Sequence, residues 1–170
     1  AKARGCHTVG VAGGADKCRY AVQELGFDVC LDYREHADAK SLAKAIRTAC
    51  PNGVTGYFEN VGGLVMNAVL PNMNAFGRIA LCGLIAGYDG APIAIENPFF
   101  FLAQRLKMQG FIVSEFPHSW PPALQELGEL VKAGKLRPRE TVANGLDSAV
   151  DAFFGMLVGK NFGKQLVKLV

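Results

Sequence analysis

Residues 7–17 read H-T-V-G-V-A-G-G-A-D-K, and this stretch decides the fold. His7 to Ala12 is short, mostly apolar and rich in β-branched residues, as is typical of a strand that is buried on both faces. The strand passes directly into Gly13 and Gly14, and a helical pattern follows from Asp16 to Leu25. A buried strand that turns through glycines into a helix predicts one unit of an α/β fold with parallel strands.

The same alternation of strand and helix continues along the chain. Further strands are predicted at Val29 to Tyr33, Val54 to Asn60, Gly77 to Gly83, Met108 to Glu115, Lys135 to Val142 and Gln165 to Val170. Further helices are predicted at Asp38 to Cys50, Gly62 to Leu70, Pro98 to Leu106, Pro121 to Ala133 and Leu146 to Leu157. This order predicts an α/β fold with a Rossmann-like, doubly wound parallel sheet rather than a sandwich or a helical bundle.

Composition and charge exclude several classes of function. The 170 residues are 50% hydrophobic, and the net charge of +3 is spread along the chain without long basic runs. We therefore expect no nucleic-acid partner and no membrane partner. The apolar runs are too short to span a bilayer, so a cytoplasmic protein is expected. The three histidines and five cysteines show no ligand spacing, which predicts no metal site.

Ligands of open α/β sheets bind at the carboxyl ends of the strands, and here those ends carry glycines and polar side chains. The segments that follow the first strands are Gly13 to Lys17, Asp32 to Arg34, Glu59 to Gly63 and Cys82 to Ile85. Glycines let a ligand lie against the backbone, and an asparagine offers both a donor and an acceptor. The sequence therefore predicts a dinucleotide site along this edge of the sheet.

The residues after the first strand bear on the choice between NAD and NADP. An acidic residue there would accept from the ribose 2′-hydroxyl and select NAD, whereas small residues with nearby cations accommodate a 2′-phosphate. Gly13 and Gly14 are followed by Lys17, and Arg19 and Tyr33 are further candidate partners, which favours NADP. Asp16 leaves the acidic role open, and Lys17 taken alone is more typical of a solvated lysine in the first turn of a helix than of a phosphate ligand.

Six strings in the same order resemble the zinc-independent medium-chain dehydrogenase/reductase superfamily, in its leukotriene and prostaglandin reductase-like branch of NADPH-dependent alkenal and enone reductases. They are VGVAGGADKCRY (9–20), LGFDVCLDYR (25–34), YFENVGG (57–63), FGRIALCGLIAGY (76–88), MQGFIV (108–113) and GKNFGKQLVKLV (159–170). The resemblance covers nearly the whole chain, and six ordered motifs make it specific.

The resemblance implies a set of site residues. It implies that Gly13, Gly14, Lys17 and Tyr33 bind the adenosine end with its 2′-phosphate. It places the pyrophosphate and the nicotinamide ribose beside Asn60, Cys82, Gly83, Leu84 and Ile85, and the nicotinamide against Phe111, Ile112 and Val113. Asn161 would reach back to the cofactor. Tyr88 matches a tyrosine near the substrate carbonyl, although a surface-loop tyrosine is an equally open interpretation.

The chemistry that the resemblance implies is hydride transfer from NADPH to the C=C bond of an α,β-unsaturated aldehyde or ketone, a small-molecule substrate. Two alternatives remain: a quinone reductase of the same superfamily, and a non-catalytic Rossmann-like binding module. The apolar run from Met108 to Glu115 is predicted to form a sheet edge. We expect that edge, near Phe111, to mediate a homodimer.

The family pattern also contains parts that have no match in these residues. Ala1 to Gly5 resembles the end of the helix that follows the glycine-rich pyrophosphate turn, so the first strand of the Rossmann sheet and that turn are expected to be missing. Residues 1–134 are thus predicted to be a partial Rossmann dinucleotide-binding domain. Residues 135–170 are predicted to return to an N-terminal catalytic domain, with strands that lack partners in this chain. The fragment alone is expected to be inactive.

Overall fold

Every strand pair in the structure is parallel, and the strands lie in three separate sheets. The structure is a computed structural model that describes residues 1–170. The strands are β1 (Val9–Ala12), β2 (Val29–Asp32), β3 (Val54–Glu59), β4 (Met73–Leu81), β5 (Lys107–Gly110), β6 (Glu140–Asn144) and β7 (Lys164–Lys168). The helices are α1 (Ala15–Gln23), α2 (Ala39–Ala49), α3 (Gly63–Val69), α4 (Phe99–Gln104), α5 (Trp120–Lys132) and α6 (Ala149–Leu157).

The strand order is β1-β2 in one sheet, β3-β4-β5 in a second and β6-β7 in a third. This arrangement confirms the predicted α/β fold with parallel strands. No strand pairs β1-β2 with β3-β4-β5, so these five strands form two separate sheets. The chain divides into two units, Ala1–Trp120 and Pro121–Val170, which are described separately.

Alternating side chains on β1 and β2 explain why helices cover both faces of that sheet. Val9, Val11 and Leu31 face the hydrophobic core of the first unit. On the opposite face, Cys30 lies beside α1, with its sulfur 3.1 Å from the sulfur of Cys18. The sheet is therefore doubly wound at this end, as the apolar run of the first strand predicts.

The core of the first unit lies where α2 and α3 pack against the sheets. Leu42 and Ile46 of α2 and Leu70 and Ile79 beyond α3 are each no more than 2% exposed. Burying each such side chain contributes roughly 1.5–3 kcal/mol. Residues of both β1-β2 and β3-β4-β5 pack against this one cluster, which fixes the two sheets relative to each other.

The predicted strand from Met108 to Glu115 is shorter than expected and begins one residue earlier. β5 ends at Gly110, and residues 113–115 form a 3-10 turn. The Glu115 carboxylate accepts a hydrogen bond from the backbone N–H of Ile112 at 3.0 Å, which closes the turn instead of extending the strand. Phe111, Ile112 and Val113 consequently lie beyond the strand. The edge strand itself is the short, mostly polar K-M-Q-G.

The second unit contains β6, α6 and β7, together with α5 apart from its first residue, Trp120. The prediction that its two strands lack partners in this chain is wrong, because β6 and β7 pair with each other from Glu140 and Lys164 onward. The predicted strand start at Lys135 is also wrong. Pro138 has no backbone N–H to donate, and β6 begins two residues after it. No helix of the chain is both long enough and apolar enough to span a bilayer.

Candidate functional site

The turns after β3 and β4 are joined by backbone hydrogen bonds at the carboxyl edge of the sheet. Cys82 donates to the carbonyl of Glu59 at 2.8 Å, and Ile85 donates to that of Asn60 at 3.3 Å. Ala86 donates to the carbonyl of Val61 at 2.9 Å. The sequence expects Asn60 and Cys82 to Ile85 to share one region, and the structure brings them together as one bonded pair of turns.

Because Gly83 has no Cβ, the Asn60 side chain can pack against it in this pair of turns. A Cβ on Gly83 would lie 2.5 Å from Oδ1 of Asn60, much closer than real Cβ contacts. The Asn60 amide therefore lies directly against the Gly83 backbone. Gly62 has a φ of 81°, and a Cβ on it would lie 3.0 Å from Leu84, so close approach and backbone conformation both require glycine there.

A buried carboxylate holds the turn that carries Asn60. Glu59 is 1% exposed, and its carboxylate accepts from the hydroxyl of Tyr57 at 2.5 Å. It also accepts from the backbone N–H of Val61 at 2.6 Å and of Gly62 at 3.0 Å. Burial, and then the hydrogen bond to Glu59, raise the pKa of Tyr57, so the phenol stays protonated and donates.

Sequence reasoning gives Glu59 no role of its own. The signal that could have identified Glu59 is an acidic residue at the end of a strand otherwise poor in charge, a few residues before a helix that begins at Gly63. Its partners are set by tertiary geometry, so the pattern alone could not name them.

The Gly13-Gly14 turn after β1 forms the second part of the candidate site. Gly14 has a φ of 100°, and its N–H donates to Oδ1 of Asp32 at 2.9 Å. A Cβ on Gly13 would lie 2.9 Å from the ring of Tyr33 and 3.0 Å from its hydroxyl oxygen. The structure thus brings Gly13, Gly14 and Tyr33 together. Lys17 follows in the first turn of α1, with its N–H donating to Gly14 at 3.1 Å.

The charged side chains near this turn are not arranged as the sequence suggested, which left Asp16 open as the acidic residue and Arg19 as a phosphate partner. Asp16 and Arg19 form an ion pair with each other on α1. Asp32 is the acidic residue that touches the turn, and the N–H of Gly14, followed by that of Arg34, lowers the pKa of its carboxyl. The structure also places Arg34 against Gly13, a contact that the sequence did not predict because it depends on how two strand ends meet.

The remaining predicted residues lie in three places. Phe111 donates from its backbone to Leu81 at the end of β4, at 3.3 Å, while Ile112 and Val113 are 62% and 64% exposed. Tyr88 is 74% exposed and donates from its backbone to Ile85, so it belongs to the loop after β4. Asn161 lies in the second unit, where its amide donates to the carbonyl of Gly163.

The best-formed cavity of the first unit lies away from this site, and the chain has no cluster of metal-binding side chains. A cavity of about 460 Å³ lies beside α2, lined by Lys44, Asn67 and Phe100 among others, and contains none of the predicted site residues. No group of three or more His, Cys, Asp and Glu side chains could hold a metal ion. The residues present therefore do not fit a zinc site, and no chemical step is assigned to one.

Comparison with known proteins gives one family. Residues 1–129 match the profile of the family described as zinc-binding dehydrogenase. The chain is 43% identical to an NADPH-dependent curcumin reductase of Escherichia coli over 99% of this chain and 50% of that protein. It is 40% identical to an NADP-dependent 2-alkenal reductase of Nicotiana tabacum, over 98% of this chain and 48% of that protein.

A solved structure shows the same fold. CurA from Vibrio vulnificus, crystallised in complex with NADPH, is 41% identical and superposes with a TM-score of 0.88, covering 99% of this chain and 51% of that one. The chain spans about half the length of the curated relatives it matches. The chain therefore belongs to the zinc-binding dehydrogenase family, in the zinc-independent alkenal, prostaglandin and curcumin reductase branch of the medium-chain dehydrogenase/reductase superfamily.

Proposed function

We propose that this chain is the C-terminal portion of an NADPH-dependent reductase that reduces the C=C bond of α,β-unsaturated aldehydes and ketones. The observation that carries the proposal is the bonded pair of turns after β3 and β4, in which the Asn60 amide lies against Gly83. This is the edge where open α/β sheets bind nucleotides. The names of the relatives, among them curcumin reductase and 2-alkenal reductase, support the substrate class.

The geometry fits a dinucleotide. The absence of a Cβ on Gly13 lets the Tyr33 side chain lie against the first turn, and its absence on Gly83 lets the Asn60 amide lie against the second. We assign the 2′-phosphate end to Gly13, Gly14, Lys17 and Tyr33. We assign the ribose and pyrophosphate to Asn60 with Cys82, Gly83, Leu84 and Ile85, and the nicotinamide to Phe111, Ile112 and Val113. Asn161 is assigned to the cofactor on the family resemblance alone.

NADPH, when bound, supplies the hydride, and the protein positions the reactants. The Asn60 amide offers a donor and an acceptor to the ribose, and its contact with Gly83 restricts its direction. Ile112 and Val113 offer exposed apolar surface that would exclude water from the reacting carbons. The Tyr88 hydroxyl would donate a hydrogen bond to the substrate carbonyl oxygen, where negative charge develops as the enolate forms.

An assay on the full-length protein tests the proposal. NADPH absorbance is followed with a 2-alkenal, an enone, a quinone and a saturated aldehyde as control, and products are identified by mass spectrometry. We expect NADPH oxidation with the alkenal or enone, giving the saturated carbonyl compound, and none with the saturated aldehyde. The proposal fails if NADPH neither binds nor is oxidised with any of these compounds.

The same assay separates the two rival functions. Turnover with the quinone alone would identify a quinone reductase, and NADPH binding without turnover would identify a binding module. A quinone oxidoreductase of Pseudomonas syringae shares the fold with a TM-score of 0.79, but at 17% identity this likeness does not bear on substrate. No observation therefore favours the quinone over the enone.

We also propose that the protein is a cytoplasmic homodimer that pairs through the edge near Phe111. β5 is the outer strand of its sheet, and Ile112 and Val113 beside it are largely exposed. Exposed apolar side chains next to an unpaired outer strand favour association with a second copy of the chain. Light scattering on the full-length protein should give twice the monomer mass, and Ile112→Lys should lower it to the monomer mass. A wild-type protein of monomer mass would contradict this proposal.

A further inference from the structure

We propose that Arg34 determines cofactor specificity by binding the 2′-phosphate of NADPH above the Gly13-Gly14 turn. A Cβ on Gly13 would lie 3.0 Å from Nε of Arg34, and one on Gly14 would lie 3.7 Å from Nη1. The guanidinium therefore lies along the backbone of both glycines. The inference rests on the proposed function, since it takes this turn to be the adenosine end of the site.

Arg34 and Tyr33 converge on one point of the turn. The hydroxyl oxygen of Tyr33 and Nε of Arg34 are each 3.0 Å from the position that a Cβ of Gly13 would occupy. A planar guanidinium can donate two parallel hydrogen bonds to a phosphate, and a phenol hydroxyl can add a third. The two side chains thus offer a set of donors that suits a phosphate better than a ribose hydroxyl.

The charge balance at the turn gives Arg34 a second function. Asp32 lies beneath Gly14 and accepts from the N–H groups of Gly14 and Arg34 at 2.9 and 3.0 Å. Its negative charge would repel a phosphate at this turn. The ion pair of Asp16 with Arg19 adds no net charge. The positive charge of Arg34 offsets the negative charge of Asp32, so the turn accepts a phosphate more readily than it would without this arginine.

The test compares ligands that differ only in the 2′-phosphate. Dissociation constants of the full-length protein are measured by calorimetry for NADPH, NADH, adenosine 2′,5′-bisphosphate and 5′-AMP. The variants are Arg34→Ala and Arg34→Lys. Arg47→Ala is the control, because Arg47 lies on α2, bonds to the carbonyl of Pro71 and changes the net charge equally.

We expect Arg34→Ala to raise the dissociation constants of NADPH and the bisphosphate roughly 10- to 100-fold, because a charge-assisted hydrogen bond to the phosphate is lost. The dissociation constants of NADH and 5′-AMP should rise less than about twofold. Arg34→Lys should recover part of this loss, and Arg47→Ala should change nothing. Equal weakening of the binding of all four ligands would show that Arg34 has a purely structural role, and it would overturn the inference. Unchanged NADPH affinity in the Arg34→Ala variant would overturn it too. A wild-type protein that binds no NADPH would instead refute the proposed function and this inference with it.

Discussion

Replacing Gly83 with alanine is expected to weaken NADPH binding roughly 10- to 100-fold while leaving the fold intact. The new Cβ would lie 2.5 Å from Oδ1 of Asn60, so one of the two must move. The Asn60 side chain can rotate away at little cost, since it ends in a free amide. Its hydrogen bonds to the cofactor would then be lost, and each contributes about 0.5–1.5 kcal/mol or more in a buried complex.

The measurement is a double-mutant cycle on the full-length protein, with NADPH affinity as the readout. Asn60→Ala should cause a similar loss, and the double variant with Gly83→Ala should be no weaker than Asn60→Ala alone, because both remove the same interaction. Gly56→Ala in β3 is the matched control, since a Cβ there meets nothing within 4 Å. Additive losses in the double variant would show that Gly83 does not act through Asn60.

The meeting of the Gly13-Gly14 turn with Tyr33 could be predicted from the sequence, because local rules determine it. The Gly13-Gly14 turn follows a short apolar run that forms the half-buried strand β1, and Tyr33 follows the next such run, β2. Parallel strands place their carboxyl ends at one edge, so the meeting of these residues follows from the topology. The same reasoning brings Asn60 to the loop from Cys82 to Ile85, since β3 and β4 are neighbours.

What the sequence does not predict depends on single tertiary contacts. The apolar run F-I-V after Gly110 has strand propensity, yet the Glu115 carboxylate bonds to Ile112 and turns the chain. In the sequence, Arg34 cannot be distinguished from any other surface arginine that follows a strand. Its contact with Gly13 is seen only in the structure. The two strands of the second unit are too far apart in sequence for a local rule to pair them, and a pattern of alternating residues does not name a partner.

Replacing Glu59 with leucine is expected to cause the largest loss of local stability at the site. Leucine is similar in size to glutamate and can be buried, but it has no oxygen to accept hydrogen bonds. The N–H groups of Val61 and Gly62 and the hydroxyl of Tyr57 would therefore lose their acceptor. Each unsatisfied buried donor costs about 1–3 kcal/mol, so we expect the turn to lose about 3–5 kcal/mol. Glu59→Gln keeps an acceptor oxygen for the two N–H groups and should lose only about 1 kcal/mol.

Hydrogen exchange of the full-length protein measures this loss at the turn itself. The amides of Val61 and Gly62 should exchange roughly 100- to 4000-fold faster in Glu59→Leu, because about 1.4 kcal/mol corresponds to a tenfold change. Tyr57→Phe should accelerate them by a smaller factor, since the carboxylate still accepts from both N–H groups. NADPH affinity should fall in the same order, leucine most and glutamine least, because Asn60 lies between the bonded residues. Unchanged exchange in the leucine variant would mean that the carboxylate does not hold the turn, and the positioning of Asn60 would then rest on its contact with Gly83 alone.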